Sequence, residues 1–427
     1  MRYLTTLLLL CSTSLIFAHD GDHTKMSPNT HPTTGNKEFD QAVVYINEGN
    51  AEALSQLLKQ NPQLVNMRAT GHEEYEKGYF MHPALIHFTA FNPFWNRGTK
   101  VPETTPEVLI VLLEAGADVD AKCGNPGNED TTLGLVTTGI LLREAGIEDR
   151  MIEILNKHGA DLSYGVIGAA AYSDWDAMDT LIRLGAGQQP VALAYQNDAA
   201  GLKKTLATTN DPLAAQKALF AAVTKGNLEC VTVALDAGAA PSAYMPAHLH
   251  PGATAMHQAA LNNHVDILKI LIERGGRTNI EDKNYSGTPL GWAAHNHNDE
   301  AVAFLIELTD IDPTPQQLAA WGLNERLLAY LKTHPDAINE VADWGTPLQQ
   351  AAFHGRVETV KLLIANGADI NKAEGGERVP GGGVTPLDKA LSKELYGSGT
   401  SLEDRAACAE ILLENGAKTG DELASSK

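Results

Sequence analysis

Cysteine is scarce. The 427-residue chain has 4, and Cys11 lies in an apolar N-terminal stretch that reads as removable, which leaves Cys123, Cys230 and Cys408. Three well-separated thiols do not make a disulfide framework, so the fold must be held by burial, with each cysteine acting as a small apolar residue. Basic residues are also under-represented: Lys and Arg total 32 against 53 Asp and Glu, a formal charge of −21. No basic block offsets that excess, which argues against phosphate-directed binding to nucleic acid and gives a weak bias toward basic partners. Long hydrophobic runs are missing apart from LTTLLLLCSTSLIF near the start. At about 14 residues this is short of the ~20 needed to span a bilayer.

Catalytic signatures are missing too. HEEYE (72–76) begins like H-E-x-x-H, but Glu76 stands where the second histidine is required. VPGGGVTP (379–386) is glycine-rich without the Gly-Lys-Ser/Thr that cradles phosphate, and no G-x-S-x-G marks a hydrolase elbow. Nothing in the motifs implies an enzyme, a cofactor or a resident metal.

What is present is repetition. GATAMHQAALNNHVDILKILIERGG (252–276), GTPLGWAAHNHNDEAVAFLIEL (287–308) and GTPLQQAAFHGRVETVKLLIANGADIN (345–371) share one plan: Gly and Thr, a pair of alanines, a polar turn, then an apolar run. The tail recurs in LLEAGAD (112–118), LNKHGAD (155–161), LIRLGAG (181–187), LDAGAA (235–240), LIERGG (271–276), LIANGAD (363–369) and LLENGA (412–417). This pattern resembles the ankyrin repeat, whose signature reads T-P-L-H-x-A-A, a turn, and an apolar helix ending L-L-x-x-G-A. The residue types suit it. In the unit Thr346–Asn371, Thr346 is placed to cap a helix that begins at Pro347, Ala351 and Ala352 permit close helix approach, and Gly355 supplies a left-handed turn. Val357, Val360, Leu363 and Ile364 then line one helix face, and Gly367 ends it.

The expected fold class is therefore an all-α repeat solenoid of stacked ankyrin-like helix-turn-helix units with finger loops. Residues 1–18 read as a secretory signal, 19–36 as a flexible His-containing leader, 37–418 as an array of ten to twelve units, and 419–427 as a polar tail. Residues 190–212 are the worn stretch, where a short or irregular unit and a bend are expected. Insertions fall at 72–82, 92–106, 123–130, 375–383 and 396–401, and loops on a rigid stack are where specificity is usually carried.

Six of the chain's 15 histidines lie between His248 and His297. Repeat position accounts for most: His87 and His257 occupy the T-P-L-H histidine, which the resemblance makes a structural hydrogen-bonding group. His264, His295, His297 and His354 fall in or beside inter-helix turns, and His158 in a last helical turn. His248 and His250 lie in an overlong finger and point the same way if extended, so they are the candidate metal ligands, with Asp282 and His295 to complete a set. For a protein partner, the candidates are Phe94 and Trp95 in the inserted turn and Tyr244, Met245, Asp282, Tyr285, Asp343 and Trp344 in or near fingers. The expected function is a non-catalytic scaffold that binds a protein on its concave face of fingers and first helices. Its expected place is outside the cytoplasm, periplasmic or secreted. A metal-handling protein using His248, His250 and the leader is the alternative.

Overall fold

The computed structural model describes residues 32–425 except 92–99, 128, 247–248, 250–251, 285, 310–311, 343–344, 375–382 and 393–400. Among them the chain forms eleven consecutive helix pairs, from Lys37–Asn47 with Ala51–Gln60 to Pro386–Leu391 with Leu402–Glu414. They fall into two compact units, Ala18–Ala255 and Met256–Lys427. Within each unit first helices pack on first helices and second helices on second helices.

The repeat Thr346–Asn371 forms as its residues require. Thr346 Oγ1 accepts the Gln349 N–H at 3.2 Å, Gln349 Oε1 accepts the Thr346 N–H at 2.6 Å, and Pro347 opens the helix Pro347–Phe353. That capping box satisfies two backbone donors which a helix start otherwise leaves orphaned. Ala351 and Ala352 are fully buried, as are Val360 and Leu363 on the second helix. Gly355 turns the chain at φ +63°, and His297 takes the same left-handed place in its own repeat at φ +55°. The carbonyls at the ends of first helices are capped from the next repeat. Asn227 Nδ2 donates to Ala194 O and Tyr195 O, Asn298 Nδ2 to Ala260 O and Leu261 O, and Arg356 Nε to Ala320 O, all within 2.7–2.9 Å. Each is an orphaned helix terminus satisfied across a repeat boundary.

In the unit 18–255 the insertion at 72–82 is core rather than a free loop. Tyr75 and Phe80 are buried against Phe88, with ring centroids 6.2 and 5.2 Å away, and Phe39 meets Phe88 at 6.1 Å. Tyr75 Oη donates to Pro32 O at 2.9 Å, and burial drives its pKa upward. The inserted aromatics thus seal the first helix pair. The first helix of the third pair breaks at Gly139 into Thr132–Thr138 and Ile140–Glu144. Beyond the break, Arg143 meets two buried carboxylates: Glu148 at 3.5 Å, and Asp174 in direct contact. The worn stretch is more regular than its sequence suggests. It forms a short pair, Pro190–Tyr195 and Ala199–Leu206, with Asp198 capping the second helix.

In the unit 256–427 the inter-helix turns are lined by imidazoles and guanidiniums. His297 and His354 lie 5.6 Å apart, Arg356 reaches Asp299 at 2.9 Å, and buried Arg405 donates to Lys389 O and Ser392 O while stacking 5.2 Å from the Phe353 ring. Cys123, Cys230 and Cys408 are free and buried, as expected of small apolar residues. Burial pushes the Cys230 thiol up to about 11 and the Cys408 thiol up to about 12. No helix among the described residues is long and apolar enough to cross a membrane.

Candidate binding surface

Fingers are closed at their bases by short antiparallel pairing: Arg68 with Ala84, Lys122–Cys123 with Asp130–Thr131, Tyr244 with Thr254, Ala342 with Gly345 and Glu374 with Val384. They are tied to the first helices by a polar side chain at the third helical position. The Ala84 N–H donates to His87 Nδ1 at 3.0 Å while Nε2 meets Ala121 O at 2.8 Å. His257 Nε2 meets Gly287 O at 3.0 Å, and Gln349 Nε2 donates to Val384 O at 2.6 Å. His87 and His257 are fully buried. Desolvation lowers both, His87 to about 4, so each is a neutral hydrogen-bonding ring, the structural role expected for the repeat histidine.

Three consecutive repeats lack a finger. The connections 158–161, 184–189 and 207–213 pass directly from a second helix to the next first helix. The first helices Leu162–Ala171, Pro190–Tyr195 and Ala214–Lys225 are therefore not overhung by pairing of their own, and Tyr164, Ile167, Gln216 and Lys217 are half-exposed along them. At the edge of this stretch, under the hairpin of Lys122–Cys123 and Asp130–Thr131, lies a recess of about 250 Å³. Lys122, Gly127, Glu129, Asp130, Asp161, Ser163, Tyr164, Ile167 and Lys217 line it. Lys122 Nζ stands 5.3 Å from the Tyr164 ring centroid, and the interaction with Tyr164 raises the lysine pKa. Lys217 Nζ is 2.9 Å from Asp211 Oδ2. Asp130 accepts the Thr131 N–H at 2.8 Å, but desolvation wins and pushes its carboxyl up to about 7.

The candidates named from sequence fare unevenly. Tyr244 is 36% exposed at its finger base. Met245 is not on the surface: it is 4% exposed, with its N–H on Ala253 O at 2.8 Å. Asp282 is corrected likewise. It is 3% exposed, and its carboxylate accepts from Asn284 N, Gly287 N and Trp292 Nε1 at 2.8–3.0 Å, so it shapes a finger and is not offered to a partner. Trp292 packs inside, 5.1 Å from the His257 ring, as its helical position suggests. Phe94, Trp95, Tyr285, Asp343, Trp344, His248, His250 and the leader histidines lie outside the described residues. Among the described residues no group of three or more His, Cys, Asp or Glu side chains is placed to hold a metal. Sequence reasoning passed over Tyr164, Ile167 and Lys217, which carry no motif. Measuring the gap between successive apolar tails and the next alanine pair would have exposed the missing fingers around them.

Stacked two-layer helix pairs with intermittent fingers define a repeat scaffold. Residues 167–282 and 219–317 match the family described as ankyrin repeats (3 copies), and residues 348–397 match ankyrin repeats (many copies). The chain belongs to the ankyrin-repeat family, and such repeats indicate a scaffold for protein–protein interaction. It is similar to a putative ankyrin repeat protein of fowlpox virus, 31% identical over 162 residues, covering 37% of this chain and 29% of that protein. It is also similar to protein phosphatase 1 regulatory subunit 12A of Mus musculus, 38% identical over 89 residues, covering 20% and 8%. A palmitoyltransferase of Debaryomyces hansenii is 31% identical over 150 residues, covering 30% and 18%. The chain thus spans less than a third of the length of each of these relatives. Among solved structures, the human ASB11 ankyrin repeat domain aligns at a TM-score of 0.36 with 18% identity, covering 54% of this chain and 98% of that one.

Proposed function

We propose that this chain is a non-catalytic scaffold outside the cytoplasm, and that a protein partner lies along the first helices of the finger-less repeats. The observation that carries the reading is the run of connections 158–161, 184–189 and 207–213. It leaves Leu162–Ala171, Pro190–Tyr195 and Ala214–Lys225 without fingers, between the hairpin ending at Thr131 and the finger of Tyr244 and Thr254. Half-exposed Tyr164 and Ile167 lie there beside Gln216 and Lys217, and an aromatic side chain of this kind is enriched where interfaces carry their energy. Export is supported by the charged, apolar and small-residue order of residues 1–18.

The test has two arms. Cell fractionation with N-terminal sequencing of the mature protein should place it outside the cytoplasm, cut near Ala18. Its recovery in the cytoplasm with Met1 retained would refute export. Hydrogen exchange of the protein with a partner captured from its own compartment should show added protection in 162–171, 190–195 and 214–225. Protection confined to second helices such as Leu228–Asp236 would refute the assigned face.

A further inference from the structure

We infer that the recess beneath the hairpin of Lys122–Cys123 and Asp130–Thr131 takes an arginine side chain from a basic segment of the partner. The inference rests on the reading that this face binds a protein, and adds the chemistry of what it binds. The size fits. Pockets for whole small molecules run from about 300 Å³ upward, whereas this recess of about 250 Å³ suits one long side chain entering from the open groove.

The charge fits as well. Glu129 and Asp161 line the recess as carboxylates, and Asp130, its carboxyl pushed up to about 7, as a group that an incoming cation would help to ionise, beside the ammoniums of Lys122 and Lys217. Of the two, Lys217 is already paired with Asp211 at 2.9 Å, and Lys122 stands over the Tyr164 ring. Among the described residues Glu129 and Asp161 accept backbone N–H groups, from Gly127 at 3.0 Å and Ser163 at 2.9 Å, and neither forms an ion pair within 4 Å. An incoming guanidinium brings planar paired donors for such carboxylates. It also brings a hydrocarbon stem for Ile167. The chain's net charge of −21 would draw a basic segment toward the groove.

The test uses the full chain and fluorescence anisotropy with fluorescein-labelled Gly-Arg-Gly-Arg-Gly, beside the matching lysine and glutamate peptides. The arginine peptide should bind most tightly. Ile167→Trp, which fills the recess, should weaken it at least tenfold. The double variant Glu129→Gln/Asp161→Asn should do the same while keeping a capping residue at position 161. Asp266→Asn, at an exposed carboxylate in the unit 256–427, should leave binding unchanged, which separates the recess from diffuse attraction to an acidic protein. Equal affinity of the wild type and both recess variants would overturn the inference, as would preference for the glutamate peptide. If the arginine peptide fails while a native partner still protects 162–171 and 214–225, the recess assignment falls and the protein-binding reading stands. Failure of both removes both.

Discussion

The two units are built from the same repeat but differ in the ionisable groups that burial shifts: among the described residues raised carboxyls fall in the first unit, and lowered histidines gather in the second, with His87 the one in the first. Residues 18–255 bury carboxylates: Asp130 in the hairpin, and Glu148 with Asp174 around Arg143. Burial holds all three above the ordinary carboxylate range, Asp130 at about 7 and Glu148 at about 9. Residues 256–427 enclose imidazoles: His257, His295, His297 and His354 are all lowered by desolvation, His297 to about 3 and His354 to about 4. The first unit runs three consecutive repeats without a finger and splits one first helix at Gly139, whereas the second lines its inter-helix turns with imidazoles and guanidiniums. A repeat array can therefore depart from its pattern in two physically different ways, and the departures carry different vulnerabilities.

The sharpest way to break the contrast is Arg143→Met. It leaves Glu148 and Asp174, 6% and 3% exposed, facing each other without their cation. Stranding a buried charge costs about 3–5 kcal/mol, so urea unfolding followed by hydrogen exchange should show loss confined to 18–255, with Glu148→Gln in the same background recovering part of it. An unchanged midpoint would mean the cluster is not what holds that region.

The pH response comes next, and its sign differs between the units. A histidine with a lowered folded pKa binds fewer protons when folded, so the second unit should lose stability as pH falls from about 6.5 toward 4. The loss should be on the order of 2 kcal/mol for each of His297 and His354 after allowing for screening at their exposed edges. A carboxyl with a raised folded pKa binds more protons when folded. Asp130 and Glu148 should therefore favour the first unit at acid pH and withdraw that contribution as pH rises toward 7 and 9 respectively. His87, lowered to about 4, gives the first unit an acid-side loss of its own, against four lowered histidines in the second. Hydrogen exchange by peptide between pH 4 and 9 should show the second unit opening first in acid and the carboxyl contribution to the first unit fading as pH rises from about 4 toward 9. Parallel curves would contradict the contrast.

Gly168→Ala should follow, at about 1–3 kcal/mol for overpacking. An added Cβ there would meet Thr137 Oγ1 at 2.2 Å and Gly134 O at 3.0 Å, where Leu162–Ala171 crosses Thr132–Thr138. The smallest effect should be Thr346→Ala in the second unit, about 1 kcal/mol for a lost helix cap, read from the denaturation midpoint.

Much of the fold was legible because the repeat encodes it locally. Thr346, Pro347, Ala351, Gly355 and Gly367 each state a backbone requirement, and the structural histidines His87 and His257 follow from position in the signature. Legibility failed where long-range packing decides. Nothing in HEEYEKGYFMH says that Tyr75 and Phe80 will fold back on Phe88, which also meets Phe39. Asp282 reads as an exposed finger carboxylate because its partner Trp292 comes ten residues later, on the next helix. The proposed surface was hidden for a related reason: Tyr164, Ile167 and Lys217 gain their setting from fingers that are missing, and an absent segment leaves no motif.

The proposed binding face, the first helices of residues 162–225, is tested most directly by site-specific photocrosslinking, with benzoylphenylalanine at Tyr164 or Gln216 on first helices, and at Lys203 or Leu228 on second helices of the same unit. Crosslinks to a partner from Tyr164 and Gln216, with none from Lys203 and Leu228, are the expected result. Crosslinks from the second helices alone would contradict it.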